Sequence, residues 1–310
     1  MSRERESGEE RGPVLAACSL SEEDGAVART AARAARALGV ELRLVHLLRP
    51  SDAAPRGGEP GSRERAREAA GDRLEALADE LSDPLAGGAV RTSVLEGVPH
   101  RGVAAVAEEA AAGLIVLGAK AHADASPGLL GSTAERVVRR GVAPTLVVRG
   151  EPHAPLRRVL ATVDFSPVSI AALEEGLSLL GPLSDAGTEV RLLFAVSPFQ
   201  GAVGEREVDY DDAMAVSREE LERLAARLDD RFPGTVGARV ERGFPRELIL
   251  AEAGAFGADA ITLGSHGRGG FERLLLGSVA EHVLRHAPCS VLVVPSREPG
   301  QLSRQRPTAV

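Results

Sequence analysis

The sequence has no tryptophan, one tyrosine and seven phenylalanines, so aromatic residues make up only 3% of its 310 positions. It also lacks any excess of positive charge: 37 lysines and arginines stand against 45 aspartates and glutamates, for a formal net charge of -8. Nucleic acid is held by basic surface and stacking rings, so both deficits set it aside as a partner. No run approaches the roughly 18 apolar residues of a membrane span. The opening Met1 to Glu10 is charged rather than a signal-peptide core, which predicts a cytoplasmic protein. The only two cysteines, Cys18 and Cys289, fall in predicted strands among small or apolar neighbours, as buried thiols do, rather than as a disulfide or redox pair. No Cys-x-x-Cys or Cys/His cluster offers a zinc site.

What is present is a repeat. Leu129-Leu130-Gly131-Ser132, followed by Ala134-Glu135-Arg136-Val137, returns 146 residues later as Leu275-Leu276-Gly277-Ser278 and Ala280-Glu281-His282-Val283, and the Ala143-Pro144 that follows has its match in Ala287-Pro288. Val14-Leu15-Ala16 matches Val159-Leu160-Ala161, and Gly97-Val98-Pro99 matches Gly243-Phe244-Pro245. The chain is therefore a duplicated unit of about 140 residues, and 310 residues suit two domains. The boundaries read as 12–149 and 156–296, joined by a short Pro-bearing linker at 150–155, with polar tails at 1–11 and 297–310 that read as disordered.

Each unit alternates strand-like and helix-like periods. In the second, strands are predicted over Arg158 to Val163, Val190 to Val196, Val236 to Glu241, Ala260 to Leu263 and Cys289 to Val294. Between them lie a helix capped by Ser166 with Pro167 at its first position, then helices over Ser217 to Arg231, Pro245 to Phe256 and Val279 to His286. The first unit follows suit: strands at Val14 to Ser19, Glu41 to Leu48, Ala89 to Leu95, Leu114 to Leu117 and Thr145 to Val148, with helices between them. Strands joined through helices run parallel with right-handed crossovers, so the fold class is doubly wound α/β, with helices on both faces of each sheet.

One loop stands out. Gly264-Ser265-His266-Gly267 follows a buried strand, and Gly277-Ser278 opens a helix. Glycine lets a phosphate approach the main chain, and the first N–H groups of a helix lack partners and carry the positive end of its dipole. Asp164, just past the first strand of this unit, would face the same crevice if the two strands are neighbours where the strand order reverses; its bland reading is a turn residue before the Ser166 cap. Known phosphate motifs do not account for the loop, which has no Gly-Lys-Ser/Thr, while Gly267-Arg-Gly269-Gly270-Phe-Glu272 lacks the last glycine of a dinucleotide fingerprint.

The second unit resembles the universal stress protein domain in its ATP-binding subgroup, whose signature is Gly, two residues, Gly, nine residues, Gly, then Ser or Thr. Gly264, Gly267, Gly277 and Ser278 meet every element, with Arg268 to Leu276 as the nine. The resemblance covers nearly the whole chain apart from tails and linker. It implies two tandem Rossmann-like domains of the adenine nucleotide alpha hydrolase-like kind, each a five-stranded parallel sheet of order 3-2-1-4-5. It also implies an ATP, ADP or AMP site, with Mg²⁺ held through the phosphates. By that similarity Thr162 and Asp164 lie near the adenosine, Ala195 near the base, Leu263 and Gly264 beneath ribose and phosphates, and Gly267, Gly277, Ser278 and Val279 around the phosphates. His266 fits the family's Ser-His-Gly run, and Arg268 and Arg273 are loop arginines that meet phosphate or solvent. Ser278 would serve as phosphate donor, as helix cap, or both. The resemblance also pairs Thr145 to Val148 with Ser290 to Val294 as an internal pseudo-dimer, beside which a homodimer and an unknown protein partner stay open.

The first unit departs from the signature. Gly118 and then Gly131-Ser132 are kept, but Ala121 replaces the second glycine and Ser19 stands where Asp164 does. A methyl group at a position needing positive φ costs about 1 kcal/mol, so this unit reads as a degenerate site. Lys120, His122 and Asp124 in its loop read as a solvated turn. The leading expectation is a nucleotide-dependent stress or regulatory protein acting through its second unit. The alternatives are a slow ATP hydrolase or phosphotransferase, for which only His266 and Asp164 are candidates, and a nucleotide-free interaction module.

Overall fold

The computed structural model describes residues 11–21, 24–49, 61–82, 89–119, 130–151, 153–197, 210–267 and 276–296. The first half runs β1 (Val14–Cys18), α1 (Asp24–Leu38), β2 (Leu42–Leu48), α2 (Ser62–Leu81), β3 (Val90–Glu96), α3 (Pro99–Glu109), β4 (Leu114–Gly118), α4 (Ser132–Arg140) and β5 (Thr145–Val148). The second runs β6 (Leu156–Thr162), α5 (Pro167–Leu180), a 3₁₀ turn (Gly181–Leu183), β7 (Ser184–Val196), α6 (Tyr210–Asp229), β8 (Thr235–Arg242), α7 (Pro245–Phe256), β9 (Ala260–Gly264), α8 (Ser278–His286) and β10 (Ser290–Val294).

All ten strands form one sheet in the order β3-β2-β1-β4-β5-β10-β9-β6-β7-β8. Every pairing within a half is parallel. Only the seam between halves is antiparallel, where Val291, Leu292 and Val293 face Val147, Leu146 and Thr145. Because strand side chains alternate, Val14, Ala16 and Cys18 turn to one face with α1, α2, α5 and α6, and Leu15 turns to the other with α3, α4, α7 and α8. Near-continuous apolar runs such as Leu114–Leu117 and Ser290–Val294 are buried throughout, as a sheet covered on both faces requires.

The α5 start matches its sequence signals: Ser166 Oγ accepts from Ser169 N at 3.2 Å and Pro167 follows. Two elements begin well before the expected residue. β7 starts at Ser184 rather than Val190, because Thr188 turns its hydroxyl inward to donate to Leu156 O at 2.5 Å and β7 bulges between Ser184 and Glu189, which pair with Leu156 and Arg158 of β6. α6 starts at Tyr210 rather than Ser217, and the Tyr210 ring lies beneath the Arg242 guanidinium, 4.2 Å from its centroid. Cys289 precedes β10 instead of lying in it, and both cysteines are buried and outside any disulfide. Burial pushes the Cys289 thiol up to about 12.

The seam is braced by quasi-symmetric charges. Glu135 and Arg139 on α4 have Glu281 and Arg285 as their counterparts on α8. Arg285 reaches Glu135 at 2.8 Å and Glu281 at 3.3 Å, while Arg139 reaches Glu135 at 3.1 Å and Glu281 at 3.4 Å. Beyond β5, Arg149 donates to the carbonyls of Leu284 and Arg285 at 2.6 and 3.3 Å, capping the negative end of α8.

Candidate functional site

β6 lies between β7 and β9, so the strand order of the second half reverses at the β6/β9 pair. Val159, Leu160 and Ala161 face Ala260, Ile261 and Thr262, which brings Thr162 level with Leu263 at the carboxyl ends. The turn holding Asp164 and the loop after Gly264 therefore leave the sheet side by side, where open α/β sheets bind ligands.

Asp164 uses its two carboxylate oxygens differently. Oδ1 accepts from Ser166 N at 2.9 Å and from Ser166 Oγ at 2.6 Å, and the Asp164 N–H donates to Ser169 Oγ at 2.9 Å. Oδ2 faces the glycine loop, where a methyl group on Gly267 would overlap it. Both readings of Asp164 meet in one residue: it is the turn acid before the cap and it is also the neighbour of the second signature glycine.

The turn carries a feature no sequence signal announces. Phe165 has φ 61°, and so does its first-half counterpart Leu20. Bulky residues rarely enter the left-handed region, so the same strained turn is held in both halves by its surroundings. In the second half the Phe165 ring packs on Phe194, with centroids 4.6 Å apart.

The loop's foot is closed by backbone. Ser265 N donates to Val294 O at 2.8 Å, and Gly277 N donates to Ser265 O at 2.7 Å. A Cβ on Gly277 would stand 3.0 Å from Ser265 O, tighter than ordinary packing. His266 N donates to Ser296 Oγ at 3.0 Å, Ser296 Oγ donates to His266 O at 3.2 Å, and Ser296 N donates to Ser265 Oγ at 2.8 Å. The His266 ring completes the cluster, with Nδ1 3.0 Å from Ser265 Oγ. His266 is thus a brace of the loop, tied down on both its backbone and its ring.

Ser265 and Ser296 escaped the sequence reading. Aligning the halves would have flagged them, since Ala119 and Gly150 occupy the matching positions and hold no such hydroxyl.

The helix end differs from expectation in one respect. The residue capping α8 is Gly277, with φ -70°, ψ 151° and no side-chain hydrogen bond; Ser278 is the first helical residue and is exposed. The cap role expected of Ser278 falls away because its backbone already sits in the helix, so its hydroxyl cannot reach back to the N–H groups as a cap does. Gly277 itself offers the first-turn donors of α8 no capping side chain.

Val279 is half-buried against the core below. Ala195 sits on the next strand over, two residues beyond Leu193, the partner of Thr162. Arg268 and Arg273 lie outside the described residues.

In the first half the foot is the same: Ala119 N donates to Val148 O at 3.0 Å and Gly131 N to Ala119 O at 2.6 Å. Gly118 ends β4, and Gly131 precedes Ser132 as the uncapped start of α4. The carboxylate is missing; Ser19 Oγ instead lies 2.9 Å from Ser21 Oγ. Ala121, Lys120, His122 and Asp124 lie outside the described residues.

Among the described residues no group of three or more His, Cys, Asp or Glu side chains is placed to hold a metal ion, and no helix is long and apolar enough to cross a membrane.

Comparison with known proteins matches the model of the universal stress protein family to residues 10–149 and again to 155–295. A universal stress protein of Mycolicibacterium smegmatis is 29% identical over 302 residues, covering 94% of this chain and 99% of that protein. One from Mycobacterium tuberculosis is 33% identical over 193 residues, 58% of this chain and 61% of its own length. The crystal structure of a universal stress protein from Archaeoglobus fulgidus superposes with a TM-score of 0.65 at 22% identity, covering 93% of this chain and 97% of the other. That level of likeness speaks for the fold alone.

Proposed function

From the premise that the chain belongs to the universal stress protein family in both halves, we propose that it is an ATP-binding stress-response protein whose second half alone holds the nucleotide. The observation that carries this reading is the meeting of Asp164 Oδ2 with Gly267, a cradle that a single methyl group would fill. On one side of it is a carboxylate suited to accept hydrogen bonds from ribose. On the other are main-chain N–H groups at the uncapped start of α8, suited to receive phosphates. Thr162, Leu263 and Gly264 form the floor beneath the sugar, and Ala195 flanks the base.

Gly277, Ser278 and Val279 would line the phosphate chain, with Mg²⁺ held through the phosphates and solvent. His266 is occupied by Ser265 and Ser296, which favours holding the nucleotide over turning it over. Nucleotide that binds one loop arrangement shifts the population toward it, and the surface so fixed is what a partner would read.

The test is to denature protein as purified and identify the released small molecule by mass spectrometry, alongside thermal unfolding with ATP and Mg²⁺. An adenine nucleotide near one per chain and a rise in melting temperature are expected. Absence of both, in protein shown to be folded, removes the proposal.

A further inference from the structure

The C-terminal half of α8 carries His282 and His286, four residues apart and so on one side of the helix. Their ring centroids lie 4.4 Å apart, with planes inclined by 32°. Nδ1 of His286 stands 2.8 Å from the carbonyl oxygen of His282. A carbonyl only accepts, so Nδ1 carries the proton of the neutral ring and Nε2 keeps its lone pair. Imidazoles that ligate metals are oriented in this way, with the nitrogen away from the metal donating to a backbone oxygen.

The cations nearby are engaged elsewhere. Arg285 pairs with Glu135 across the seam and with Glu281 on its own helix, Arg149 donates to the carbonyls of Leu284 and Arg285, and Arg246 at the start of α7 lies 3.9 Å from Glu247. The first half supplies an internal contrast, because Arg136 and Arg140 occupy the matching positions of α4, and a guanidinium has no lone pair to offer.

We propose that His282 and His286 together chelate a divalent transition cation of the kind that prefers imidazole, Zn²⁺, Ni²⁺ or Cu²⁺, at the exposed end of α8. Two protein ligands leave the remaining positions to water. This site is independent of the nucleotide loop, which lies at the opposite end of the same helix.

The experiment is an isothermal titration of the full-length protein, prepared without an affinity tag, with Ni²⁺ alone. One ion per chain is expected. His282→Ala or His286→Ala should each weaken binding by at least about tenfold, the order by which metal affinity responds when its ligand environment is disturbed. The double variant should abolish saturable binding, while His100→Ala on α3 leaves it intact. His282→Gln and His286→Gln, which keep polar side chains of similar reach, guard against misfolding, as read by circular dichroism. No saturable Ni²⁺ binding in the parent, or binding that survives in a folded double variant, overturns the assignment.

Discussion

Gly267 is where the smallest change has the largest expected effect. A methyl group there overlaps Asp164 Oδ2, so either the carboxylate or the loop must move. Gly267→Ala should weaken ATP binding by about tenfold or more, equivalent to roughly 1.4 kcal/mol, with little change in thermal stability because the position lies at the surface rim of the sheet. Calorimetric titration of the folded variant checks this, and unaltered affinity would separate Asp164 and Gly267 functionally. The three signature glycines were legible in the sequence because glycine has few other reasons to recur at that spacing between a strand and a helix. Phe165 was not legible: a left-handed backbone at a bulky residue costs about 1–2 kcal/mol and leaves no compositional trace. The brace from Ser265 and Ser296 was hidden for a different reason. Isolated serines beside a strand end look like ordinary turn residues until the fold brings residues 31 apart together.

Among the elements, α8 carries the sharpest contrast between halves. It and α4 begin alike, each after a glycine with no side-chain cap and with the loop foot bonded to the preceding strand end. Gly277→Val should therefore abolish nucleotide retention, since its Cβ would stand 3.0 Å from Ser265 O and the added methyl groups would fill the phosphate approach. Gly131→Val, in the half without the carboxylate, should leave the nucleotide content of purified protein nearly intact. Equal losses from the two changes would contradict a single competent half. Helix and strand positions followed from periodicity wherever the apolar stripe was strong, as in α5, where Leu173, Leu177 and Leu180 are all buried. The early starts of β7 and α6 were illegible because they rest on tertiary contacts, Thr188 with Leu156 and Tyr210 with Arg242, that no local pattern encodes.

At the scale of the molecule, the continuous sheet makes the halves mutually dependent. β5 and β10 are buried along their whole length, so separating the halves would expose two apolar edges. Urea unfolding followed by circular dichroism and by a probe placed in one half should give coincident transitions; two resolved steps would show that the seam is weaker than its burial implies. Near the linker, Glu151 bonds Arg29 of α1 at 2.9 and 2.6 Å, and that hydrogen bond holds its carboxyl below the usual carboxylate range. A depressed carboxylate stabilises the fold above its unfolded value, about 4.3, and the contribution is lost as pH falls through the folded value. Because the pair is half-exposed, Glu151→Gln should cost only about 0.5 kcal/mol at pH 7, and the gap between variant and parent should close toward pH 3 in denaturant titrations.

The antiparallel junction has a further implication for how the protein is made and used. Subunits that meet edge to edge as separate chains can trade places with any relative bearing a compatible strand, and their ratio follows whatever the cell happens to synthesise. Here both edges belong to one polypeptide, so the carboxylate-bearing half and its serine-bearing counterpart are delivered in fixed one-to-one proportion, already matched to each other, at every level of expression.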